Sequence, residues 1–140
     1  MIGISNDRLN HSIEVARMMV ELSEKAGWSP TKCQEMFLLG YVHDIGYEFA
    51  ENQCDHADIG AKILKEQGYK YWQEVALHGK IDSSYESEEL RMLNIADMSV
   101  DSHGIRVGAK RRLEDIAERY GVKSKQYLEA VQLANKIGLL

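Results

Sequence analysis

Ser29-Pro30-Thr31-Lys32-Cys33-Gln34-Glu35-Met36-Phe37-Leu38-Leu39-Gly40-Tyr41-Val42-His43-Asp44-Ile45-Gly46-Tyr47 reads as one helix with a His-Asp pair at its end. Ser29 is a good N-cap, Pro30 suits the first helical position and Gly46 is placed to end the helix. Cys33, Met36, Phe37, Gly40 and Tyr41 recur at helical spacing, which carries Asp44 onto the same apolar face. A carboxylate is disfavoured there by burial and by the negative end of the helix dipole, the latter by roughly 0.3–1 kcal/mol. A bound cation resolves the conflict, and so does an ion-paired, solvated helix end.

On both sides of this stretch the apolar period is helical, punctuated by Gly or Ser, with no alternating strand. The 140 residues are therefore expected to form one all-α domain over 1–140, a bundle of about six to seven helices. A first helix, Asp7 to Ala26 and closed by Gly27, carries a stripe of Leu9, Ile13, Ala16 and Val20, and a second of His11, Val15, Met18 and Leu22. His11 thus faces inward, either as a core histidine bonded to a carbonyl or as a ligand.

After the His-Asp pair, an acidic loop from Glu48 to Cys54 leads to Asp55, an N-cap for a helix with His56, Ile59, Gly60, Ile63 and Leu64 that ends at Gly68. A helix N-terminus disfavours an imidazolium, so His56 is expected neutral, the form that binds metals; a surface residue beside a cap is the plainer reading. The next helix, Tyr71 to His78, buries Trp72, Val75 and Ala76 and stops at Gly79. His78 fits either a cation at a helix C-terminus or a ligand. After a loop from Lys80 to Ser84, a helix from Glu86 to Val100 puts Asp97 on a face with Leu90 and Leu93, where a salt bridge or a metal would answer its charge. Two amphipathic helices, Lys110 to Tyr120 and Ser124 to Ile137, read as packing elements.

Seventeen Lys and Arg against 22 Asp and Glu give a net charge of -5, which argues against a dedicated nucleic-acid binder. No apolar run is long enough to span a bilayer, and the N-terminus lacks the order of a signal peptide, so the expected location is the cytoplasm. Cys33 and Cys54 make no spaced metal knuckle, and Cys33 reads as a small core residue. Lys80, close after His78, and the cluster of Arg106, Lys110, Arg111 and Arg112 are the candidates for phosphate contacts. His103 reads as a loop residue.

Together His11, His43, Asp44, His56, His78 and Asp97 form a mixed imidazole and carboxylate set suited to manganese, iron, nickel, cobalt or zinc. Their order resembles the HD-domain superfamily of metal-dependent phosphohydrolases, with His11, His43, Asp44 and Asp97 at its four ligand positions and nearly the whole chain covered. More narrowly, His43-Asp44-Ile45-Gly46-Tyr47, His56 with Gly60-Ala61, Ala76-Leu77-His78, Ala96-Asp97-Met98 and the segment from Arg112-Leu113 to Arg119-Tyr120-Gly121 resemble small stand-alone bacterial HD proteins.

The resemblance implies a helical bundle holding one or two divalent transition-metal ions. With two, Asp44 bridges, His11, His43 and Asp97 complete one site, and His56 and His78 serve the other. With one, His56 and His78 contact substrate phosphate or shuttle protons, so the implied catalytic set is Asp44, His56 and His78. Cyclic-dinucleotide phosphodiesterases of the superfamily carry Lys where Tyr47 stands, and alarmone hydrolases and deoxynucleotidases carry Glu; here Glu48 comes one step late, as a displaced acid or base or an exposed loop residue. Enzymes that split dinucleoside tetraphosphates remain compatible. The expected activity is hydrolysis of a phosphomonoester or phosphoanhydride of a small phosphorylated substrate, a nucleotide, with a homo-oligomer left open. A di-iron oxygenase and a non-catalytic nucleotide- or metal-binding module are the alternatives.

Overall fold

The computed structural model describes residues 5–48, 56–81 and 84–139. Among the described residues seven α-helices follow one another: α1 Asn6–Lys25, α2 Pro30–Val42, α3 His56–Glu66, α4 Trp72–Leu77, α5 Glu88–Asp97, α6 Ala109–Tyr120 and α7 Lys125–Lys136. A 3-10 turn, Ile45–Glu48, follows α2. Among the described residues the only extended pairing is a single bridge between Val100 and Arg106. The all-α expectation holds.

Local chemistry explains several boundaries. The hydroxyls of Ser5, Ser29, Ser87 and Ser124 accept from the backbone N–H three residues on and start α1, α2, α5 and α7, which satisfies donors a helix start leaves unpaired. Gly121 takes φ +95° directly after α6, a conformation that an L side chain resists. Cys54, Asp55 and its proposed cap lie outside the described residues, as does the middle of the Lys80–Ser84 loop.

Three sequence readings are corrected. Gly46 does not end α2, which stops at Val42 with His43 as its C-cap. Its value is proximity: a Cβ there would lie 1.7 Å from the His56 carbonyl oxygen, and one on Gly60 would lie 2.9 Å from the Gly46 nitrogen. The turn after Asp44 is thereby seated on the start of α3. The buried faces also differ from the predicted stripes, because Leu9, Phe37 and Tyr41 are exposed. The turn of α2 that packs closest to α1 is set by Gly40, whose absent Cβ would come within 2.7 Å of the Ala16 backbone. On α4, Glu74 is buried alongside Val75, whereas Trp72 is only partly covered; Tyr85 and Ser87 donate to the Glu74 carboxylate and make that burial tolerable.

Two apolar clusters frame the site. Val15, Met19, Met36, Leu39, Val75, Leu93 and Ala96 belong to the first; Met98, Leu113, Ile116, Ala130 and Leu133 belong to the second, beneath α6 and α7. Asp97 stands between Ala96 and Met98, one in each cluster.

Candidate metal centre

Each histidine reaches the centre from a helix start, interior or end. His11 is on the buried face of α1, His43 caps α2, His56 opens α3, and His78 caps α4. His43 is fully buried, and His11 and His78 nearly so.

Their second ring nitrogens are fixed. Nδ1 of His11 lies 2.9 Å from the Asp101 carbonyl oxygen, Nδ1 of His43 2.6 Å from that of Gly40, and Nδ1 of His78 2.5 Å from that of Val75. A carbonyl only accepts, so each Nδ1 carries its proton and each Nε2 is directed to the centre. Metal-bound imidazoles are oriented in this way.

Asp44 divides its two oxygens. Oδ2 faces Nε2 of His11 and His43, at 3.7 and 3.2 Å, whereas Oδ1 faces Nε2 of His56 and His78, at 3.2 Å each. Asp97 Oδ1 closes the first group, 2.8 Å from His11 Nε2 and 3.4 Å from His43 Nε2. Two candidate metal-ligand sets result, His11-His43-Asp44-Asp97 and Asp44-His56-His78, each with its ligand atoms within 4.8 Å of one another.

The donor set fits a divalent cation on a direct structural test. His43 Nε2 is buried and hydrogen-bonds to nothing: both neighbouring carboxylates are near but misaligned for a bond. An orphaned buried nitrogen costs about 1–3 kcal/mol, and a cation among these atoms removes that cost. Charge points the same way. Burial by itself would raise the Asp44 carboxyl, but the neighbouring imidazoles of His43, His56 and His78 hold it well below the carboxylate range. Burial likewise opposes ionisation of Asp97, and His11 and His43 outweigh it. Burial works against a charge on His43, yet Asp44 and then Asp97 hold it well above the usual imidazole range. The centre thus keeps two carboxylates ionised with imidazole as their counter-charge, a role that a bound divalent cation would take over.

A cleft of two lobes opens over these ligands. One, about 390 Å³, has Arg8, His11, Asp44, Tyr47, Arg112 and Arg119 in its wall; the other, about 560 Å³, shares Asp44, Tyr47, Arg112 and Arg119 and adds His56, His78, Lys80 and Tyr120. Tyr47 stacks on His56 with ring centroids 4.0 Å apart, and the Arg8 guanidinium lies 3.3 Å over the Tyr47 ring. Burial and then the Asp44 charge push the Tyr47 phenol up, so it keeps its proton.

The structure brings His11, His43, Asp44, His56, His78 and Asp97 together. Lys80 reaches the cleft but holds Asp58 at 2.6 Å. Of the other four expected phosphate contacts, Arg112 lines both lobes and three are elsewhere. Arg106 is bound by Glu14 and Glu21 of α1, Arg111 by Glu114 and Glu118 of its own helix, and Lys110 is exposed away from both lobes. Acidic partners on α1 and α6 draw these side chains outward. His103 is an exposed rim residue 3.2 Å from Asp7, and the Glu48 side chain lies outside the described residues. Arg8, Arg119 and the buried Asp115 were not singled out; Arg8 three residues before His11 and Arg112 three before Asp115 were the available signals.

A helical bundle with two imidazole and carboxylate sets joined by one aspartate defines an all-α protein with a candidate centre for divalent metal. The chain belongs to the HD domain family, whose family model matches residues 8–137. HD domains are in general metal-dependent hydrolases. No curated protein and no solved structure matches the chain. Among the described residues no helix is long and apolar enough to cross a membrane.

Proposed function

We propose that this protein is a metal-dependent phosphohydrolase that holds two divalent transition-metal ions and hydrolyses a phosphomonoester or phosphoanhydride, a nucleotide being the substrate class. The division of Asp44 carries the reading: Oδ2 toward His11 and His43, Oδ1 toward His56 and His78. A carboxylate placed so is a bridge between two ligand sets, with Asp97 completing the first. When bound, such ions lower the pKa of a coordinated water towards about 7 and neutralise charge developing on phosphoryl oxygens.

The chain's own residues prepare the site. The carbonyls of Asp101, Gly40 and Val75 fix which nitrogen each imidazole presents. Stacking on Tyr47 fixes the ring plane of His56. Lys80, Arg119 and Arg112 give the cleft above the ligands a cationic wall, suited to phosphate oxygens.

Replacement of Asp44 by Ala is the test. Metal content, measured on protein purified without chelators, is expected to fall from close to two ions per chain, and turnover of a panel of nucleotides and phosphomonoesters is expected to vanish. Retained turnover refutes the assignment. Iron with oxygen-dependent turnover in the wild type would point instead to an oxygenase, and metal binding without turnover to a binding module.

A further inference from the structure

We propose that Arg112 binds the phosphoryl group of the substrate at this centre and that Asp115 is the positioning residue that holds it there, an inference that rests on the phosphohydrolase reading. Arg112 lies in the first turn of α6, within the basic cluster that the sequence offers for phosphate contacts, and its side chain is just 12% exposed and enters the wall of both lobes where they meet Asp44.

Its contacts fix it from two sides. Nη1 donates to Asp115 Oδ2 at 2.8 Å and Nε donates to the Asp97 carbonyl oxygen at 3.3 Å. Asp115 is itself buried and also accepts from the Ser102 N–H and hydroxyl, each at 3.1 Å. The carboxylate is thus a fixed anchor, and the guanidinium plane is set before any ligand arrives.

The remaining edge points to a ligand. Nη2 stops 4.0 Å from Asp97 Oδ1, beyond hydrogen-bond reach. Asp97 does not depend on Arg112 for its counter-charge, because His11 and His43 already face it. Other cations of the cleft are engaged further out: Arg8 lies on Tyr47, Arg119 lies over Tyr120, and Lys80 is paired with Asp58. Arg112 alone is bonded to a residue of the candidate ligand set. A guanidinium remains charged beside bound cations and presents a planar fork that matches phosphate oxygens. Here Nη2, the nitrogen left over, is placed to take an oxygen of the group held over Asp44 and Asp97.

The test is calorimetric titration of inorganic phosphate into the manganese-loaded protein, with metal content and steady-state kinetics measured alongside. Arg112→Met is expected to weaken phosphate binding about 10- to 100-fold with metal content unchanged. Arg112→Lys, which keeps the charge and fills the same space, is expected to recover part of that loss and gives the answer if the methionine variant does not fold. Asp115→Asn is expected to weaken phosphate less than Arg112→Met, again at full metal content, whereas a merely structural role would lower thermal stability and leave phosphate affinity unmoved. Phosphate affinity within twofold of wild type in both Arg112 variants overturns the proposal, and so does a wild-type protein that holds metal but binds no phosphate. Arg112-dependent phosphate binding without turnover of any phosphorylated compound would uphold this proposal and remove the hydrolase reading alone.

Discussion

At the start of α2, Lys32 donates to Tyr71 and to Glu89, each at 2.8 Å, and Tyr71 donates to Glu35 at 2.7 Å. At its end, His43 Nε2 lies among Asp44, Asp97 and other imidazoles and completes no hydrogen bond. Both clusters place ionisable groups from separate helices in partly or wholly buried positions. In the first, each of these donors meets an acceptor, and burial of Lys32, which by itself would depress its ammonium, is outweighed by the bonds to Glu89 and Tyr71 that raise it. In the second, nitrogen and oxygen ligands converge on common points. A cluster that satisfies itself is a brace; one that converges without satisfying itself is built for something added.

The sharpest way to break that contrast is to remove one charge from each cluster. Asp97→Asn should abolish the first metal set and take metal content from about two ions per chain to about one or fewer. Lys32→Met should leave metal content intact and lower unfolding free energy by about 1–3 kcal/mol, since Tyr71 and Glu89 each lose a partner. Elemental analysis and denaturant titration read both, and metal loss in the Lys32 variant would erase the distinction.

Chelation should act on the His43 cluster alone. With free metal at about 100 times the dissociation constant, each ion adds about 2.7 kcal/mol, so a chelator should lower Tm by roughly 8 °C per bound ion, and by clearly less in Asp97→Asn than in the wild type. Equal shifts in the two proteins would count against the ligand role of Asp97.

The smallest effect is in the pH dependence of the Lys32 cluster. For Glu35, the Tyr71 bond is the main influence holding the carboxyl below its ordinary 4.5; for Glu89, burial is outweighed by Lys32. A depressed carboxyl stabilises the fold above its unfolded pKa and loses that contribution as pH falls through the folded one. The stability difference between wild type and Lys32→Met should therefore shrink by a few tenths of a kcal/mol as pH is lowered from about 6 to below 4. A difference that grows on acidification would reverse the sign of this interaction.

Much of this was legible from local rules. Ser29-Pro30 marks the start of α2 and Gly121 the end of α6, because capping needs only adjacent residues. Each of the six residues of the centre stood out as a polar group on an apolar face or at a helix end. Where the reading failed, the deciding partner was remote in sequence. Phe37 and Tyr41 are exposed since Gly40 meets Ala16 of another helix, and Gly46 serves a contact with His56 rather than a helix end. Arg106 and Arg112 look alike in sequence; Glu14 and Glu21 turn one outward, while Asp115 and the Asp97 carbonyl turn the other in.

His11 contacts Asp97 and the carbonyl of Asp101, 86 and 90 positions further along the chain, and next to it the Asn10 backbone leaves no room for a Cβ on Gly104. The helix pairs can form from neighbours, but the first ligand set exists only after the two distant parts of the chain have docked. Loop closure over such a span is slow relative to local helix pairing. Metal capture is therefore expected as a late event in folding, and an ion once held there acts as a clasp that slows the chain's reopening.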